Sequence, residues 1–278
     1  MDYDIDPFAD IEDEAELSPG ETRKTLFAKA KLGYARIEKL FVQLDDYPQG
    51  GDSRGSMLGR LVTGKKARAL DLLLTVHALT PILDGSPLPL GTWAKLLSPD
   101  GQEWTVRTIS TAFKELQEMN LLELSGSKQQ PIVLLKREDG SGEPLPELKS
   151  ENGRGFFTIP FDYWTGGDIT KLSLPAKAML LIILKETQDP KGKLTFTMPV
   201  ARAQDWYGIS ERSAERGYLE LVKEGLISQK RQKIVDPQHV AGRREIVHRA
   251  PIGVYSTAHR ERLRHLAETA ADAASKGS

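Results

Sequence analysis

One feature constrains this chain more than any other: it repeats itself. Ala67-Arg-Ala-Leu-Asp-Leu-Leu-Leu74 matches Ala176-Lys-Ala-Met-Leu-Leu-Ile-Ile183 at an offset of 109 residues. Thr108-Ile-Ser-Thr-Ala-Phe-Lys-Glu-Leu-Gln-Glu-Met-Asn-Leu-Leu122 matches Ser213-Ala-Glu-Arg-Gly-Tyr-Leu-Glu-Leu-Val-Lys-Glu-Gly-Leu-Ile227 at 105. Identities are few, but apolar positions agree nearly throughout, as expected when two copies of one unit bury the same faces. Each copy has the same order of predicted elements. In the first, helices are predicted over residues 65–80, 90–97 and 105–120, then short β runs over 121–124 and 132–136 around Ser125-Gly126-Ser127-Lys128. In the second, a helix capped by Ser173 runs to about Glu186, followed by a short strand over 193–197. A short helix covers 199–207, then come a Gly208-Ile209-Ser210 turn and a helix over 211–224. Strands over 226–235 and 245–250 flank a long tip.

Outside the repeat, residues 1–17 read as an acidic tail and 18–60 as an N-terminal helix and linker. Residues 61–137 form the first unit, 138–155 a second linker, 156–255 the second unit and 256–278 a C-terminal helix and tail. Ser18-Pro19-Gly20-Glu21 spells a capping box. After it, Phe27, Ala30, Tyr34, Ile37, Phe41 and Leu44 fall at spacings of three and four, predicting one helix with an apolar stripe over 18–44. That stripe docks on its own domain or forms a homodimer seam within residues 18–46.

Charge separates the tail from the body. Residues 1–21 hold nine acids and no base, so a formal net charge of −1 leaves +8 on residues 22–278. A basic body beside an acidic tail suits a nucleic-acid binder whose tail competes for the basic surface, or a protein with a solubilising tail. The absence of Cys excludes disulfides, thiolate metal sites and Cys nucleophiles. No apolar run is long enough to span a membrane and the first residues are acidic, so the expectation is a cytoplasmic protein.

Two strings imitate catalytic motifs. Gly59-Arg-Leu-Val-Thr-Gly64-Lys65-Lys66 nearly spells a P-loop, but Lys66 replaces the magnesium-binding Ser/Thr and no strand precedes it. Gly51-Asp-Ser53-Arg-Gly55 has nucleophile-elbow spelling within a linker. His77 sits in an apolar helix as a core residue, and His259 and His265 lie on different helix faces. No enzyme activity, metal, cofactor or small-molecule ligand is expected.

Gly208-Ile-Ser-Glu-Arg-Ser-Ala-Glu-Arg-Gly-Tyr-Leu-Glu-Leu-Val-Lys-Glu-Gly-Leu-Ile227 resembles the turn and recognition helix of bacterial winged-helix DNA-binding domains. The first copy resembles it too, with Asn120 at the usual Gly position, a residue that also tolerates the left-handed conformation. Phe157-Thr-Ile-Pro160 followed by Leu172-Ser-Leu-Pro-Ala-Lys-Ala178 is similar to the opening of plasmid and phage replication-initiator winged helices. The resemblance implies an α+β chain, mostly helical with small hairpins, built of tandem winged helix-turn-helix domains.

A winged helix would place outward side chains of its third helix in the major groove. In the second copy these are Arg212, Ser213 and Arg216, with Ala214, Tyr218, Leu221 and Val222 inward. In the first they are Arg107, Thr108, Ser110, Thr111 and Lys114, with Ile109, Phe113 and Leu116 inward. Thr111 aligns with Arg216, which weakens the first copy's case. The second wing is the most basic segment, with Lys230, Arg231, Lys233, Arg243, Arg244 and Arg249 suited to phosphate contacts. Solvated helix faces and scattered hairpin charge are the plain alternatives, and Glu211, Glu215 and Glu220 stand against DNA contact. The functional expectation is a double-stranded DNA-binding protein that initiates plasmid- or phage-type replication. The alternatives are a transcriptional regulator and a winged-helix adaptor in a chromosome-organising complex.

Overall fold

Two helix starts are built alike. Thr105 Oγ1 accepts from the Thr108 amide at 3.2 Å, and Ser210 Oγ accepts from the Ser213 amide at 3.3 Å. These N-caps begin helices of 13 residues each, α6 (Val106–Glu118) and α11 (Glu211–Lys223). Both end in a left-handed residue, Asn120 at φ 56° and Gly225 at φ 70°, which turns the chain into a hairpin.

The computed structural model describes residues 15–30, 32–45, 55–145, 155–189 and 191–276. Within them the fold is α+β. In chain order come α1 (Pro19–Phe27), β1 (Tyr34–Glu38), α2 (Lys39–Val42), α3 (Met57–Thr63), α4 (Ala67–Leu83), α5 (Leu90–Leu97) and α6. Next are β2 (Leu122–Gly126), β3 (Pro131–Leu135), β4 (Phe156–Pro160), α7 (Asp162–Thr165), α8 (Asp168–Lys171) and α9 (Leu174–Glu186). A 3₁₀ turn at Val200–Arg202 leads into α10 (Ala203–Tyr207) and α11. The chain closes with β5 (Ile227–Val235), β6 (Arg243–Pro251) and α12 (Thr257–Lys276). The order helix, short helix, helix, hairpin therefore occurs twice, as α4-α5-α6-β2-β3 and α9-α10-α11-β5-β6. The strand predicted over 193–197 is reduced to one antiparallel bridge, Phe196 to Arg249. The first hairpin's strands run closer to its tip than expected and leave residues 127–130 as the turn. Pro81 does not end α4, because it lies in a helix that continues to Leu83.

The single helix predicted over 18–44 does not form. The chain leaves α1 at Phe27, and Tyr34–Glu38 pairs antiparallel with Phe156–Pro160 as β1 and β4. Tyr34, Ala35, Ile37 and Phe41 are all buried in the chain's own interior. The stripe therefore offers no helical dimer seam. Strand pairing wins because it buries Ile37 opposite Phe157 and Ala35 opposite Ile159.

One apolar core runs through both repeats, from Phe27 and Ile37 through Leu72 and Trp93 to Ile183, Tyr207 and Leu221. Polar ties reinforce it. Lys177 Nζ contacts both carboxylate oxygens of buried Asp71 at 2.6 and 2.7 Å, joining α4 to α9. His77 faces Glu138 at 3.0 Å, and the Glu38 and Glu138 amides each donate to the other residue's carboxylate. Residues 138–145, predicted as linker, are thus partly built into the fold, and Lys136 bridges Pro144. Buried Arg260 holds α12 to the end of α9 by donating to the carbonyls of Leu184 and Thr187 and to the Gln188 side chain. Burial pushes its pKa down to about 9. Most of the acidic tail, the Gly51–Gly55 string except Gly55, and residues 146–154 of the second linker lie outside the described residues.

Candidate nucleic-acid interface

On α11, Ala214, Gly217, Tyr218 and Leu221 face inward. Gly217 is required there, since a Cβ would stand 2.5 Å from the Pro175 carbonyl oxygen and 2.6 Å from Met179 Cγ. The close approach of α11 to α9 turns Arg212 and Arg216 outward, both exposed, while Ser213 stays half-buried beside the Ser210 cap. Glu220 is not part of that outer face. Its carboxylate accepts from the Ser173 amide at 2.7 Å and from the Ser173 hydroxyl, so it holds the N-cap residue of α9 in place and weighs nothing against DNA contact. Glu211 and Glu215 remain exposed.

On α6, Ile109, Ala112, Phe113 and Leu116 are buried. Arg107, Ser110, Thr111 and Lys114 are exposed and Thr108 is half-buried. The hydroxyls are turned back on the helix: Ser110 donates to the Val106 carbonyl at 3.0 Å and Thr111 to that of Arg107 at 2.9 Å. Lys114 sits 3.7 Å from Glu118. Arg107 is left as the cation of this face without an ionic partner among the described residues. The hairpin beside it carries one turn cation, Lys128, and its Lys136 pairs with Glu123 at 2.8 Å.

The hairpin β5–β6 does not gather its cations on one side. Side chains alternate along a strand, and directly opposite residues share a face. The register sets Lys230 opposite His248 and Ile234 opposite Arg244 on one face. Lys233 opposite Glu245, Arg231 opposite Val247 and Val235 opposite Arg243 occupy the other. Arg231 pairs with Glu245 at 3.3 Å and Arg244 with Asp236 at 3.3 Å. Lys230, Lys233 and Arg243 are exposed without an ionic partner among the described residues.

Arg249 is a correction. It was expected on phosphate, but it is buried at the hairpin base, its guanidinium 3.6 Å above the Tyr218 ring. Its backbone exchanges both hydrogen bonds with Phe196, at 2.7 and 2.9 Å. Burial lowers its pKa, partly offset by Tyr218. The parity of the strand carried this signal, because Arg249 lies two residues before Pro251, which pairs with core residue Ile227.

A second basic feature was not anticipated. Gly64, Lys65 and Lys66, between α3 and α4, and Arg68 in the first turn of α4 line a cleft of about 480 Å³ together with Arg107, Thr108, Thr111 and Glu115 of α6. Lys66 pairs with Glu115 at 2.7 Å, and Arg68 lies 5.6 Å from the centre of the Trp104 ring. The sequence signal was the near-P-loop string, whose Gly-Lys-Lys end forms this corner.

No family model matches the sequence, and neither a curated protein nor a solved structure matches it. Among the described residues there is no group of three or more His, Asp or Glu placed to hold a metal ion, and no helix long and apolar enough to cross a membrane.

Proposed function

We propose that this chain binds double-stranded DNA through two winged helix-turn-helix units, α4-α5-α6-β2-β3 and α9-α10-α11-β5-β6, with the second as the principal reader. The supporting observation is the N-terminal end of α11. Two arginines stand exposed, without an ionic partner among the described residues, on a helix whose cap, turn and close packing on α9 fix their direction. Arg can pair bidentately with guanine in the major groove, and a flanking basic hairpin supplies sequence-independent phosphate contacts. The process is initiation of plasmid- or phage-type replication, a reading that rests on the resemblance of β4 and the start of α9 to initiator winged helices.

Selection from a randomised duplex pool yields the sequence that tests this. R212A and R216A should each cost about 1–3 kcal/mol on the selected duplex and little on random duplex. Equal losses on both would reassign these residues to phosphate. An unselectable pool and no binding at low salt would sink the DNA reading in favour of a protein-docking adaptor.

A further inference from the structure

The Gly59–Lys66 string is not a nucleotide loop in a strand-loop-helix setting, yet each of its unusual residues has a structural reason. Gly59 lies in α3, where a Cβ would meet the Tyr207 carbonyl oxygen at 2.5 Å and the Gly208 Cα at 3.3 Å. Helix α3 therefore packs backbone to backbone on the turn that precedes α11. Thr63, at the end of α3, donates its hydroxyl to the Gly208 carbonyl at 3.4 Å. The chain then folds back: the Gly64 amide donates to Arg60, that of Lys65 to Val62 and that of Lys66 to Leu61. This places Lys65 at φ 55°, a left-handed conformation unusual for a side chain other than Gly, Asn or Asp. A single residue, Gly64, separates Thr63, on the second unit's turn, from Lys65, in the cleft beside the first unit's α6.

Lys65 thus sits between the starts of the two outward-reading helices. The cleft it lines holds four cations, Lys65, Lys66, Arg68 and Arg107, against one carboxylate, Glu115, which Lys66 already engages. Lys65 and Arg107 are exposed and lack an ionic partner among the described residues. Thr108 and Thr111 complete the lining, the Thr111 hydroxyl donating to the Arg107 carbonyl. Uncompensated cations in an open cleft suit a phosphate group.

We infer that the corner between α3 and α4 is a phosphate-binding cleft, occupied by a backbone phosphate of the same duplex that α11 reads. This rests on the DNA reading above, and it adds that Lys65 and Arg68 connect the two units into one contact surface. Binding of a labelled random-sequence duplex by the full chain, followed by anisotropy from about 50 to 200 mM salt, tests it. Each lost phosphate contact should reduce the slope of log K against log salt by about one unit. K65A should lower that slope by about one unit, and K65A/R68A by more. K65G removes the same charge while relieving the left-handed backbone, so it should show the same loss of slope with a melting temperature at or above that of the parent. That variant separates lost charge from lost folding. An unchanged slope in K65A and K65A/R68A, with K233A/R243A still reducing it, overturns the cleft and leaves the DNA reading standing. If the parent chain binds no duplex, the DNA reading fails, and with it the assignment to a duplex phosphate. Calorimetric titration with inorganic triphosphate then decides what remains. Binding that K65A abolishes keeps the phosphate cleft with a free phosphate compound as its source, and no binding removes it.

Discussion

Lys177 and Asp71 form a lysine–carboxylate pair enclosed by the core, both nearly without solvent exposure. Burial pushes the Asp71 carboxyl up to about 6 even though Lys177 opposes the shift. Bringing both charges out of water offsets most of their attraction, whereas removing one strands the other. K177M should therefore cost about 3–5 kcal/mol, while D71L/K177M should match the parent at neutral pH or exceed it, as read by urea denaturation. The carboxyl's raised value fixes the pH dependence. A carboxyl that binds its proton more tightly when folded adds stability that is whole below about 3.8 and is lost as pH rises through about 6. The parent should gain on the double variant as pH falls from about 6 to about 4. An unchanged difference would mean that Lys177 keeps Asp71 ionised throughout. Part of this tie was visible in the sequence, since Asp71 is the lone acid within the apolar run 69–79. Its partner was not, because nothing local relates it to a lysine in another helix.

At the scale of elements, the hairpin β5–β6 shows how a basic segment differs from a basic face. Arg249, Lys233 and Arg243 share the side whose base is anchored on Tyr218 of α11, and Lys230 and Arg244 share the other. If the wing lies along phosphate beside α11, the first side should matter more. K233A/R243A should weaken binding to all sequences and reduce the salt slope by about two units, against less than one for K230A/R244A. Equal effects would mean that the tip wraps the strand with both faces. The helices α5, α6 and α11 were legible within a residue or two because their apolar spacing and turn residues agree, whereas the first half of the helix predicted over 199–207 is the 3₁₀ turn Val200–Arg202 and α10 starts only at Ala203. The stripe from Phe27 to Leu44 misled because spacings of three and four also occur in a helix, turn and strand read in succession. Gly33 marks the break, but β1 is specified by β4, more than a hundred residues away in the sequence. The basic cleft was hidden for the same reason: its lysines and Arg107 come from separate stretches.

Taken whole, the molecule is not two beads on a string. Residues 34–38 precede the first repeat, yet they pair with residues 156–160, which open the second. Gln188, just beyond α9, accepts from the Thr158 amide at 3.1 Å and from Arg260 at 2.6 Å, so β4, α9 and α12 share one polar knot. The repeat predicts units of similar shape, and composition marks a linker between them, but neither reveals that the units bury each other. A continuous core should melt as one. Calorimetry should give a single transition with equal calorimetric and van't Hoff enthalpies. Ile37, 1% exposed on β1, belongs to neither repeat. I37A should cost about 2–5 kcal/mol by leaving a cavity between them. Under native conditions its loss should accelerate hydrogen exchange at the slowest amides of α4 and α9 by the same factor, because both are protected by the same global opening. Acceleration confined to one helix would show that the two repeats open independently and that the shared core does not couple them.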